Sequence, residues 1–183
     1  MESRKFSLYF EIQSAFNFND MNAIEIRIRS RLKIYIAIII TGLAFSGLTA
    51  FPLETELAYL INNGSSALQQ WLNKVYMAIK TTNENYPFLS YGTDWLAFAH
   101  LMLAILFIGP FKNPVKNKWV IEFGIICCLM IIPLALIAGH IRGIPLFWQL
   151  IDCSFGLIAI VPLYLCLTHI NKLETLHNHE IYI

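Results

Sequence analysis

The sequence predicts an all-α, polytopic membrane protein: a four-transmembrane-helix bundle with an extracytoplasmic interfacial helix between spans one and two. Three observations carry this prediction. Of the 183 residues, 57% are hydrophobic and 14% charged, against about 25% charged in ordinary soluble domains. The shortage of charge is concentrated in four apolar blocks, each about the length that a bilayer core requires. Lys and Arg are then distributed unevenly over the loops that join the blocks.

Residues 1–33 read as a cytoplasmic, amphipathic and basic lead-in. Phe6, Leu8, Phe10 and Phe16 are interspersed with Arg4, Lys5 and Glu11, and Ile24–Ile28 alternates isoleucine with charge. Alternation is a strand signal, but a lone strand beside a membrane has no pairing partner, so a helix continuing into span one is expected. Arg27, Arg29, Arg31 and Lys33 form a basic cluster before the first apolar run. Span one is placed at residues 34–53. No small-residue cleavage site follows it, so it is expected to be an uncleaved span. Gly42, Ser46 and Ala50 recur every fourth residue, which predicts a face for close helix packing.

Residues 54–92 form a hydrophilic outer excursion. Asn62-Asn63-Gly64-Ser65-Ser66 breaks the chain and supplies N-cap residues. From Ala67 to Lys80 a helical pattern sets Leu68, Trp71, Leu72, Val75 and Ile79 on one side. The run is too short and polar to span, which predicts an interfacial helix. Asn63-Gly64-Ser65 matches a glycosylation sequon, a tripeptide common by chance.

Span two is placed at residues 94–111, capped by Thr93 or Asp94, with His100 its one interior ionisable residue and Pro110 near its end. Lys112, Lys116 and Lys118 follow in a short loop. Span three, 119–139, holds Glu122 near its start and Pro133 within, a kink that membrane helices tolerate. A tight loop, His140–Pro145, leads to span four, 146–168, which contains Asp152 and Pro162. Residues 169–183 read as a cytoplasmic tail with His169, His177 and His179 solvated. Cys127, Cys128, Cys153 and Cys166 lie in apolar runs without a CxxC pair. They read as small packing residues, not as a disulfide framework or a zinc site.

Orientation follows from the basic residues. Arg27, Arg29, Arg31, Lys33, Lys112, Lys116, Lys118 and Lys172 fall on one side, and Lys74, Lys80 and Arg142 on the other. The positive-inside rule then predicts both termini in the cytoplasm, with 54–92 and 140–145 outside.

Under that topology Asp94, His100, Arg142 and Asp152 share the outer end of the bundle, and Glu122 lies at the cytoplasmic end. These four are the candidate ligand-binding residues, because ionisable groups in spans mark functional sites. A structural role is open for each. Arg142 can clasp Asp152 or Asp94, Asp94 can cap its helix, and His100 can be a hydrogen-bonded bundle residue. Glu122 is expected to pair with Lys118 or a neighbour.

Thr49-Ala50-Phe51-Pro52 ends span one, Asp94 precedes His100 in span two, Glu122 follows, and Arg142, Asp152 and Gly156 come last. This order resembles the VanZ-like family of small bacterial membrane proteins over residues 34–168. The chain differs in having Trp95 where the family tends to have Lys, Phe155 where it tends to have Asn, and no Gln soon after Glu122. The resemblance implies a bacterial cytoplasmic (inner) membrane location and a link to the cell envelope.

Two functions fit these residues. One is an outward-facing polar pocket for an anionic lipid or a lipid-linked envelope precursor, with Arg142 on an oxyanion. The other is a structural or assembly subunit that packs against other membrane proteins. A net charge of +1 gives no field for nucleic acid. No motif calls for a cofactor, since haem ligation by His100 would need His140 from a loop beyond the span end.

Overall fold

The structure is a computed structural model. It describes residues 2–61 and 64–181, with 2–20 and 177–181 described as backbone only. Among the described residues all regular structure is helical: α1 (Glu2–Ala50), α2 (Leu53–Leu60), α3 (Ala67–Asn85), α4 (Pro87–Leu106), α5 (Ile108–Lys112), α6 (Lys118–Ile141) and α7 (Leu146–Ile181). Four stretches are long and apolar enough to cross a membrane: Met21–Ala50, Pro87–Lys112, Lys118–Ile141 and Leu146–Leu176.

Two of the expected boundaries move. The lead-in is, as expected, not separate from span one: α1 runs unbroken from Glu2 to Ala50. Its described part buries Ile28, Leu32, Ile36 and Ile39, spaced at helical intervals, while Ile24 and Ile26 are exposed. The period-two alternation was thus a coincidence laid over a helical seam. The tail is not separate from span four either, since α7 continues through His169 to Ile181. His169 is half-buried, with its ring edge-on to Tyr35 at 5.8 Å, and is no solvated tail residue. Finally, α4 begins at Pro87, which occupies its first turn, and Tyr86 before it is held at φ −140° as a following proline demands. Asp94 therefore sits two turns inside α4 and does not cap it. The sequon Asn63 and the side chains of residues 4–16, His177 and His179 lie outside what is described.

The chain divides into two compact units, 1–39 with 109–183, and 40–108. In the first, α6 and α7 pack as an antiparallel hairpin. Two points of close approach define it. A methyl group at Gly139 would lie 2.7 Å from Gln149 Cγ, and one at Gly156 would lie 2.7 Å from the Cys128 carbonyl oxygen. Gly156 lets the two backbones meet, and Gly139 makes room for the Gln149 side chain. Farther from the turn, Val120, Ile121, Leu163, Cys166, Ile170 and Leu173 are buried. Burial of Cys128, Cys153 and Cys166 fits their role as apolar packing residues.

In the second unit, the end of α1 meets α4 at Gly47. A methyl group there would lie 2.8 Å from the Ala97 carbonyl oxygen. The expected packing stripe is not used, since Gly42 and Ser46 are exposed and a methyl group at Gly42 would meet nothing within 4 Å. The stripe misses the contact because Gly47 lies about 100° of helix rotation from Ser46. Helix α3 starts as its sequence predicts, with Ser66 Oγ accepting from the Gln69 amide at 3.2 Å. It turns Leu72 inward and packs on α2 and α4.

Candidate functional site

In the second unit a cleft of about 330 Å³ opens where four elements converge. Pro52 ends α1 and sets up the turn into α2, whose first residues include Glu54. Tyr86-Pro87 breaks the helix between α3 and α4, with the Tyr86 amide bonded to the Thr82 carbonyl at 2.7 Å. The two turns bring the start of α2 beside the end of α3 and the first turns of α4. Ser90, Thr93 and Asp94 are three and four residues apart, so they share one face of α4, and all three line the cleft.

A chain of hydrogen bonds crosses it. Asn83 Nδ2 donates to Glu54 Oε2 at 2.6 Å, and Ser90 Oγ donates to Asn83 Oδ1. Asn83 is thereby fixed by both ends of its amide. Glu54, Asn83 and Ser90 are each half-buried. Asp94, one turn beyond Ser90, is exposed, and its carboxylate makes no hydrogen bond or ion pair among the described residues. The remaining lining mixes threonines, Thr55 and Thr82, with apolar Phe51, Pro52, Ile79 and Leu89. Two carboxylates face the cleft and no Lys or Arg does. Chemically it can hold a hydroxyl- or amine-bearing group against an apolar wall.

Of the four sequence candidates, Asp94 alone is in this lining. His100 lies six residues deeper on α4, about 9 Å along the axis. Its Nδ1 lies 2.8 Å from the Leu96 carbonyl. A carbonyl only accepts, so Nδ1 is the donor. The bond closes within α4, one turn back, and joins His100 to no other helix.

Arg142 and Asp152 belong to the first unit, at the α6–α7 turn. Arg142 ends α6 and is exposed. Gly143 follows at φ +67°, in the left-handed region that glycine enters freely. The Ile144 amide bonds to the Gly139 carbonyl at 2.9 Å and the Gly143 amide to the His140 carbonyl at 3.1 Å, a Schellman closure. Gln149 Nε2 completes the turn by donating to the Ile144 carbonyl at 2.7 Å. Asp152 is half-buried, on α7 between Gln149 and Gly156. Neither Asp152 nor Arg142 makes a side-chain hydrogen bond or ion pair among the described residues. The Arg142–Asp152 clasp is absent because the turn is already closed by glycine and by Gln149.

Glu122 is also unpaired among the described residues. Lys118 pairs instead with Glu174, Nζ to Oε2 at 2.8 Å. The extension of α7 beyond residue 168 is what delivers Glu174. A Lys four residues before a Glu is in any case the weaker order on a helix.

Glu54, Asn83, Ser90 and Gln149 were not picked out from sequence. Glu54 and Asn83 are 29 residues apart, and no periodicity links them. Gln149 had a local signal, as a lone amide in the first turn of an apolar span. Among the described residues no three His, Cys, Asp or Glu side chains gather as a metal site. The chain matches no family model, no curated protein and no solved structure.

Proposed function

We propose that the protein is an integral membrane protein that binds a small polar ligand, or the polar head of a lipid-linked envelope molecule, in the cleft beside the α1–α2 turn. The observation that carries this reading is the Glu54–Asn83–Ser90 hydrogen-bond chain with the unpaired Asp94 beside it, in a cleft of about 330 Å³, a size that suits a small ligand. The carboxylates favour a cationic or hydroxyl-rich group in this cleft over an anion, which was expected at Arg142. Exposed Arg142 remains the candidate for an anionic group. Basic-residue asymmetry supports an outward-facing cleft with both termini in the cytoplasm. Ala50, Phe51, Pro52 and Asp94, residues on which the VanZ-like resemblance rests, all line the cleft. The bacterial cytoplasmic-membrane location rests on that resemblance.

The test is mass spectrometry of small molecules retained by the purified protein. A species bound by the wild type and lost from both Glu54→Gln and Asp94→Asn, with the folded protein unchanged, supports the reading. Identical retention in all three contradicts it.

A second reading, an assembly subunit, is favoured by one observation. Exposed Gly42 and Ser46 leave a smooth face on α1 that a partner helix can approach closely. Loss of a co-purifying membrane protein in Gly42→Leu supports it.

A further inference from the structure

The first unit gathers its cations at one end. Lys118 holds the start of α6 to α7 through Glu174. The run before α6 is tied down, because Asn117 Nδ2 donates to the Gly109 carbonyl at 3.2 Å and the Asn113 carbonyl at 2.9 Å, and the Lys116 amide donates to Asn113 Oδ1 at 3.2 Å. Lys112 and Lys116 project from this fixed loop and are exposed. The Tyr35–His169 ring contact sets α1 against α7. Consecutive spans alternate in direction, so α1 and α7 run oppositely. Arg31, four residues before Tyr35, is then about level with residue 173, and Arg27 lies about 6 Å farther out. Arg29 and Lys118 are consumed by Glu25 and Glu174. Arg27, Arg31, Lys33, Lys112, Lys116 and Lys172 are exposed, with no ion pair among the described residues.

Directly beside these cations the surface is apolar. Ile34 is 58% exposed, Ile38 55% and Trp119 57%. A soluble polyanion would gain nothing from these side chains, whereas a phospholipid uses both parts of the surface. We propose that this end of the first unit binds anionic phospholipids, with phosphates on the unpaired cations and acyl chains along Ile34, Ile38 and Trp119. The proposal rests on the reading that the four apolar helices span a bilayer. It is independent of the cleft and its ligand.

The experiment equilibrates the detergent-purified full chain with an equimolar mixture of phosphatidylglycerol and phosphatidylcholine and counts bound lipids by native mass spectrometry. The expected result is an excess of phosphatidylglycerol of roughly fivefold or more, the selectivity that one well-placed Lys or Arg confers near a membrane surface. Combined Arg27→Gln, Arg31→Gln and Lys116→Gln substitutions lower that ratio towards one while total bound lipid persists. Lys74→Gln with Lys80→Gln leaves it unchanged. Inorganic phosphate does not displace the bound phosphatidylglycerol. A wild-type ratio near one, an equal fall in the Lys74/Lys80 control, or displacement by inorganic phosphate overturns the proposal. Failure of the wild type to retain either lipid overturns the membrane reading along with it.

Discussion

Gln149 reaches back over the α6–α7 turn to the Ile144 carbonyl, Nε2 to oxygen at 2.7 Å, and at 5% exposure it is the buried polar side chain among the described residues. It lies on Gly139, whose missing side chain makes the room. A neutral hydrogen bond and a left-handed glycine therefore close the turn, and the guanidinium of Arg142 has no partner among the described residues.

Two substitutions separate that closure from an ionic clasp. Gln149→Ala removes the partner of the part-buried Ile144 carbonyl and is expected to cost about 1 kcal/mol or somewhat more. Arg142→Ala is expected to change stability by no more than about 0.5 kcal/mol. Reversible unfolding in detergent measures both. A larger loss for Arg142→Ala than for Gln149→Ala would restore the clasp.

The glycines divide by what faces them. Gly156→Ala and Gly47→Ala each drive a methyl group against a backbone carbonyl, that of Cys128 or of Ala97, which no rotamer change relieves. Each is expected to cost about 1–3 kcal/mol. Gly42→Ala meets nothing and gains helix propensity, up to about 1 kcal/mol. Thermal unfolding of the three variants should rank Gly42→Ala at or above wild type and the other two below it.

The Lys118–Glu174 pair is partly exposed, at 27% and 35%, so its net worth is small, about 0–1 kcal/mol. Lys118→Glu alone should lower stability by setting two carboxylates together, and adding Glu174→Lys should recover most of the loss. A double-mutant cycle with no coupling at low salt would show that the α7 extension does not dock beside α6.

Four apolar runs, the loops between them and the Ser66 cap were legible because each rests on local composition or on one turn of chain. Helix ends were not. Nothing before residue 34 separates a basic lead-in from a helix already in register, since Ile28 belongs equally to an alternation and to the buried Ile28–Leu32–Ile36 seam. The four charged candidates stand out in the sequence one at a time, each in or beside an apolar run. That criterion includes Asp94 of the cleft lining but passes over Glu54, Asn83 and Ser90, which meet only when two turns fold α2, α3 and α4 together. It also overvalued Arg142 as a structural element, because the capacity of Gly143 and Gln149 to close the turn is backbone geometry that residue charge does not report.

The cleft lined by Glu54, Asn83, Ser90 and Asp94 is proposed to open on the outer side of the membrane. Thr93 lines it without joining the hydrogen-bond chain, so Thr93→Cys reports on access without breaking the network. A membrane-impermeant maleimide applied to intact cells should label Thr93→Cys, and should label Lys116→Cys only after the membrane is permeabilised. Labelling of Lys116→Cys from outside, with Thr93→Cys protected until permeabilisation, would contradict the account.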